Sequence, residues 1–236
     1  YLDYMFGQIR ELLTNYGKLD LMWFDFSYDN MKNETWKADK LIEMVRSIQP
    51  HLIIDNRLEG SGEDSGSILT RNPTPWSGDF ASPEQMIPPA GIRDEDGNPV
   101  PWESCITLNN HWGYAAHDHH YKSDKMVIHM LVECVSKGVI FLLTGGPNAN
   151  GEIPVESVQI LKEVGTWMKK NSRSIYHCGY AGLPKPEWGR YTRNGNLLYA
   201  HVMEEQAGAI CLENMAGKIE KMRLVSDNSE IKESFF

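Results

Sequence analysis

No run of about 18 consecutive apolar residues occurs in the sequence, so it contains no hydrophobic helix long enough to cross a membrane. No C-x-x-C pair occurs either. The four cysteines, Cys105, Cys134, Cys178 and Cys211, stand far apart, which gives no zinc ribbon and no dithiol redox motif. Cys105 and Cys134 fall inside apolar runs and read as buried small hydrophobes. Nor does any Lys/Arg stripe offset the formal charge of −9, so a nucleic-acid partner is not expected. The first strand is followed by Phe26-Ser27-Tyr28-Asp29 and not by a glycine-rich phosphate turn, which argues against a doubly wound dinucleotide sheet. Internal repeats, low-complexity tracts and a charged-then-apolar leader are missing as well.

What is present is a chain of 236 residues, 41% hydrophobic and 10% aromatic, enough for one large domain or one and a half. Leu2, Met5, Phe6, Ile9, Leu12, Leu13 and Tyr16 recur at helical spacing, so the chain is expected to start in mid-architecture. Leu19-Asp20-Leu21-Met22-Trp23-Phe24-Asp25 follows as a short strand expected to be buried on both faces and to open at Asp25. Thr35 is placed to cap a helix through Ala38, Leu41, Ile42, Val45 and Ile48, stopped by Pro50. His51 to Arg57 reads as a second strand with polar groups at its exit.

From Leu58 to Pro101 glycine and proline dominate, which predicts one long loop, with Trp76, Phe80 and Met86 available to pack over something. Trp102 to Leu108 is a strand, and Asn109-Asn110-His111-Trp112-Gly113-Tyr114 follows its C-terminal end. Ser123 caps a helix through Met126 to Val135, Val139–Leu143 is a third fully apolar strand, and Pro154 opens a helix through Met168. Beyond Asn171 the signals turn to β-type. Arg193-Asn194-Gly195-Asn196 is a hairpin turn into Leu197–Val202, with further strands expected at Ala209–Leu212 and Lys221–Val225.

Four strands ending at Asp25, Arg57, Leu108 and Leu143, mostly followed by helices, predict an α/β fold. The expected architecture is the C-terminal half of a (β/α)8-type barrel over residues 1–171. A small antiparallel, sandwich-like and incomplete β domain is expected over 172–236.

Each strand exit offers a polar or aromatic group, and barrels converge such groups on one mouth. Indoles, carboxylates and an arginine without metal-ligand spacing suit a sugar. Retaining glycoside hydrolysis needs two carboxyl groups roughly 5–5.5 Å apart. Asp25 is the first candidate, with a turn cap as the plainer, less favoured reading of it alone. Its partner is sought on the long loop, among Glu59, Glu63, Asp64, Asp79 and Glu84, or at Glu103 where the next strand starts. Asp79 reads as a loop-ordering carboxylate.

These motifs resemble, from residue 1 to about 176, the glycoside hydrolase family 29 α-L-fucosidases. The resemblance rests on Tyr16 to Asp25, Asn56-Arg57, Ser82-Pro83-Glu84-Gln85, Trp102-Glu103-Ser104-Cys105 with Trp112-Gly113-Tyr114, and Lys137-Gly138 to Gly151 with Ile153-Pro154. It implies a retaining hydrolase of fucosylated oligosaccharides or glycoconjugates that needs no cofactor, in a secreted or periplasmic setting. Asp25 matches the nucleophile and Glu84 the acid/base, with Glu103, at a strand's beginning and so at a barrel's stability face, as the rival. Trp23, Arg57 and Trp112 match pocket-lining positions, and Arg57 is able to pair with a carboxylate and keep it ionised.

Further fucose-binding histidines and a tryptophan belong to the family's first half-barrel. This piece alone is therefore expected not to hydrolyse an aryl α-L-fucoside. Phe26, Val139-Ile140, Thr144-Gly145 and Asn150 depart from the family pattern, and the first and third of these border the mouth.

Two other readings stand beside this one. The piece is a sugar-binding fragment without turnover, or His117-Asp118-His119-His120 serves a metal-dependent barrel hydrolase, although catalytic zinc sites draw ligands from separate rigid elements. Arg57 as a structural ion-pair partner and Trp112 as core are the plainer alternatives.

Overall fold

The computed structural model describes residues 1–25, 35–58, 77–94 and 96–232. Phe26, Glu59, Glu63, Asp64 and Trp76 lie outside them. The chain divides into two compact units, Tyr1–Ile106 with Val139–Thr144, and Thr107–Gly138 with Gly145–Phe236.

In the first unit, helices α1 (Leu2–Asn15) and α2 (Ala38–Ile48) pack on each other through Ile9, Leu13, Leu41, Ile42 and Val45. The α2 start is two residues later than Thr35 predicts, because Lys37 in a left-handed conformation (φ 49°) is the capping residue. At the far end the Gln49 side chain ties three segments. Its amide donates to Leu13 O (2.8 Å) and Gly17 O (3.0 Å), and its carbonyl accepts from Leu19 N (2.9 Å). That fixes where strand β1 (Leu21–Met22) enters beside β2 (Ile53–Ile54), its parallel partner in the register Leu21↔Ile53.

Side chains alternate across a strand. Met22, Phe24 and Ile54 join the helix core, whereas Leu21, Trp23, Asp25 and Ile53, Asp55, Arg57 take the other face. The expected burial on both faces is therefore only half correct: Leu21 and Ile53 are 43% and 47% exposed.

The stretch predicted as one long loop contains a further extended segment, residues 79–85. It runs between β2 and β3 (Glu103–Thr107), with parallel bridges Asp55↔Phe80, Ala81↔Trp102 and Glu84↔Cys105. Its ladder to the chain at β3 is regular: Ala81 N to Pro101 O (2.8 Å), Glu103 N to Ala81 O (2.9 Å), Cys105 N to Pro83 O (3.0 Å) and Gln85 N to Cys105 O (2.8 Å).

On the β2 side Asp79 N donates to Ile54 O (2.6 Å), and the Asp79 carboxylate accepts from Ile54 N (2.8 Å) and from Arg46 of α2 (2.6 and 2.7 Å). Gly78 makes this approach possible. Its φ is +81°, and a Cβ there would lie 2.1 Å from Asp55 O. Ala81, Ile92 and Trp102 close a second small core over Val139, and β4 (Ile140–Thr144) completes this sheet beside β3. β4 is less buried than a fully apolar strand predicts, with Ile140 60% exposed on one of its two faces.

In the second unit, α3 (Asp124–Ser136) starts at Ser123, whose hydroxyl accepts from Met126 N (3.2 Å), and packs against α4 (Val155–Asn171). The antiparallel sheet β5 (Gly179–Tyr180), β6 (Gly189–Asn194), β7 (Leu197–Val202) also meets α3. The hairpin turns at Gly195-Asn196 as expected. Glu133 of α3 binds both Lys137 (2.6 Å) and Arg190 of β6. The strands expected at 209–212 and 221–225 are not formed among the described residues. Only the bridge Arg223↔Glu230 appears there, and Cys211 O is used instead to accept from the buried Trp188 indole (3.0 Å).

Candidate active site

The period of two along adjacent strands places Trp23, Asp25, Asp55, Arg57, Ser82, Glu84, Glu103 and Cys105 on one face of the first unit's sheet. Arg57 organises them. Its Nη1 donates to Asp25 Oδ1 (3.0 Å), its Nη2 pairs with Glu84 Oε1 and donates to Ser82 O (3.0 Å), and its Nε donates to Ser82 Oγ (2.9 Å). The guanidinium carbon stacks 4.1 Å from the Trp23 ring centroid.

Held this way, a nearly buried guanidinium has a fixed plane, and two carboxyl groups from different strands are drawn to its two terminal nitrogens. Asp25 is 51% exposed at the side chain and Glu84 29%, so both ends of the pair meet solvent. Glu84 is set on the sheet by its bridge to Cys105, not on a swinging loop. Gln85 after it turns the chain with a left-handed φ of 54°.

Two further carboxyls stand behind the pair. Glu103, 4% exposed, accepts the Trp23 indole N–H (2.7 Å) and the Cys105 thiol (3.8 Å). Burial raises its pKa above the ordinary glutamate value. Although it opens β3, as the stability-face argument assumes, its carboxylate belongs to this set, because the indole reaches back from β1 to meet it. Asp55 is wholly buried. Its Oδ1 accepts from Phe24 N (3.0 Å), its Oδ2 has no hydrogen-bond partner, and burial pushes its pKa up to about 7. Burial likewise pushes the Cys105 thiol up to about 12, which leaves it inert as a nucleophile.

Of the residues expected from sequence, Trp23, Asp25, Arg57 and Glu84 come together. Asp55, Ser82 and the contact of Glu103 with Trp23 were not anticipated. The spacing Asp55-x-Arg57, two charged residues on the same side of one strand, is the signal that would have found the first.

Trp112 belongs to the second unit, 44% exposed in the loop after β3. In that loop the buried Asp118 accepts from His111 Nδ1 (2.7 Å), Asn110 N (2.9 Å) and His120 N (3.0 Å). The His111 hydrogen bond, with those backbone donors, holds the carboxyl of Asp118 well below the usual range. This aspartate orders the loop, and no three His, Cys, Asp or Glu side chains converge as a metal set among the described residues.

A family model described as Alpha-L-fucosidase matches residues 1–173. An alpha-L-fucosidase of Dictyostelium discoideum is 27% identical over 211 residues, covering 86% of this chain and 42% of that protein. Among solved structures, alpha-L-fucosidase isoenzyme 1 from Paenibacillus thiaminolyticus is 54% identical with a TM-score of 0.91, covering 98% of this chain and 54% of that one. An alpha-L-fucosidase from Bacteroides thetaiotaomicron, trapped as a covalent intermediate with 2-fluoro-fucosyl fluoride, is 26% identical with a TM-score of 0.82, covering 100% of this chain and 55% of that one. The chain thus spans about half the length of these relatives. With its first 173 residues matched by that model, on an α/β structure of the same fold, the chain belongs to the alpha-L-fucosidase family.

Proposed function

We propose that the protein to which this chain belongs is a retaining exo-glycosidase. It hydrolyses terminal α-L-fucosyl linkages of oligosaccharides or glycoconjugates through a covalent fucosyl-enzyme. In this reading residues 1–171 are the C-terminal half of a (β/α)8-type barrel, and the parallel order β1, β2, 79–85, β3 supports it. Residues 172–236 are the appended β domain. Asp25 attacks the anomeric carbon while the proton of Glu84 passes to the departing oxygen. Water, deprotonated by Glu84, then breaks the Asp25–sugar ester. Trp23 gives the sugar an apolar face, and the family resemblance assigns Trp112 to sugar binding.

The observation that carries this reading is the sharing of one guanidinium by Asp25 and Glu84. Before the first step the pair must hold one negative charge, on Asp25, with the proton on Glu84. After it Asp25 is an uncharged ester and the charge sits on Glu84. The pair's net charge is constant while its location changes, and Arg57 has a terminal nitrogen beside each position. The charge then moves between two positions already served by one cation.

The test is azide rescue in the full-length protein. Asp25→Ala should abolish hydrolysis of an aryl α-L-fucoside and yield fucosyl azide of inverted configuration. Glu84→Ala should yield the retained azide, and Glu103→Ala neither. A retained azide from Glu103→Ala would move the acid/base role to Glu103.

A further inference from the structure

Arg57 can hold two carboxyl groups only while its plane is fixed, and its Nε is where that plane is decided. Nε donates to Ser82 Oγ at 2.9 Å, and Asp55 Oδ2 stands 4.0 Å from the same nitrogen, buried and without a hydrogen-bond partner. The other oxygen of Asp55 is committed to Phe24 N, the residue before Asp25. One side chain therefore touches the support of both reacting elements: the β1 end that presents Asp25, and the guanidinium that links Asp25 to Glu84.

We propose that Asp55 is a positioning residue whose Oδ1 anchors the Asp25 strand end and whose Oδ2 competes with Ser82 Oγ for Nε of Arg57, so that its protonation sets how Arg57 serves the two reacting carboxyls. This rests on the assignment of Asp25 and Glu84 as the reacting pair.

The charged and titratable groups that face Asp55 from the elements around it are Asp25 of the β1 end, Arg57 on its own strand, and Glu103 of β3. On the 79–85 segment Glu84 acts through Arg57, and Cys105 carries no charge near neutrality. Three of these neighbours are carboxyls and one is a cation, so with Oδ1 already committed to Phe24 N the ionised Oδ2 is drawn to the cation, Arg57 Nε. A neutral Asp55 makes no claim on that nitrogen, and the Ser82 bond and the links to Asp25 and Glu84 stand as observed. Once ionised, it draws Nε across, rotates the guanidinium away from Ser82 and loosens Nη2 from Glu84. Its midpoint near neutrality places that exchange within the working range of an enzyme.

The experiment follows the 15Nε resonance of Arg57, assigned by its loss in Arg57→Lys, between about pH 5 and pH 9 in the full-length protein. The wild-type signal should move with a near-neutral midpoint. In Asp55→Asn, which keeps an acceptor for Phe24 N but does not titrate, it should stay fixed. In Ser82→Ala the alkaline position should match wild type while the acidic position differs from it, because no hydroxyl then holds Nε when Asp55 is neutral. A wild-type signal that is flat, or that moves equally in Asp55→Asn, overturns the proposal. Aryl α-L-fucoside hydrolysis is recorded on the same samples, and the alkaline limb of kcat/KM should rise by about one pH unit in Asp55→Asn. Absence of turnover with the resonance behaving as expected refutes the fucosidase assignment and not the Asp55–Arg57 exchange.

Discussion

Replacing Arg57 by lysine tests whether one guanidinium really serves both reacting carboxyls. Lysine keeps the charge and most of the length but offers a single nitrogen, so it cannot reach Asp25 and Glu84 while also bonding Ser82 Oγ and Ser82 O. The net loss is one charge-assisted hydrogen bond, about 1.5–3 kcal/mol, together with the stacking of the planar cation at 4.1 Å from Trp23, about 1 kcal/mol. The sum is roughly 3 kcal/mol, or a fall of about 150-fold in rate at 1.36 kcal/mol per decade.

Because Arg57 accompanies the charge through both steps, the loss should appear in kcat as well as in kcat/KM. The assay is steady-state hydrolysis of an aryl α-L-fucoside by the full-length variant, with thermal melting run beside it. A variant within about threefold of wild type would refute the shared-guanidinium argument. So would a large loss explained entirely by unfolding, since Arg57 would then be only a structural cation.

Gly78→Ala should be far more damaging than Gly97→Ala. Both have left-handed φ, +81° and +83°, which costs an alanine about 1–2 kcal/mol, but only at Gly78 does the new methyl meet backbone, 2.1 Å from Asp55 O. Thermal melts should separate the two by at least about 2 kcal/mol, with activity lost only in the first, and equal destabilisation would refute the packing argument. In the β module, the Thr192 hydroxyl donates to Ser174 O (2.7 Å) and so accepts from His201 Nε2 (2.9 Å), which fixes a neutral tautomer. Burial lowers the His201 pKa from 6.5 to about 4. The unfolded chain binds the extra proton first, so this group's contribution is full above about pH 6.5 and is lost as pH falls toward about 4, by at most about 3 kcal/mol. Urea melts of wild type minus His201→Gln should show that slope, and a pH-independent difference would refute it.

Self-contained local signals in the chain fix their own structure. Ser123 before an apolar face, Pro154 at a helix entrance and Asn194-Gly195 between alternating residues each dictate their conformation within a few positions, and the structure follows them. Asp25 and Arg57 were legible because each ends a short apolar run. The segment 79–85 was not. Gly78, Ser82 and Pro83 have loop composition, and what makes the segment extended is a ladder to Pro101–Cys105 and a clamp on Ile54, both distant in sequence. Proline is tolerated there because the bonds fall on Ala81 and Gln85 nitrogens and on the Pro83 carbonyl. The burial of Asp55 is not legible in the sequence for another reason. Charged residues are read as exposed by default, and the burial of this one depends on the Phe24 N–H of the neighbouring strand end as well as on Arg57 two residues along its own strand.

The ladder beneath Glu84 also bears on how such an enzyme diversifies. Glu84 takes its position from Cys105 and Ile54, not from the chain that leads to it. The register of Glu84 is therefore set independently of the length of chain between Leu58 and Ser77. Insertions or deletions there would leave Glu84 in register, whereas a single insertion between Gly78 and Glu84 would turn the side chains on one side of it to the opposite face. Libraries randomised in length before Ser77 should be rich in active members, and those randomised after it should be nearly barren.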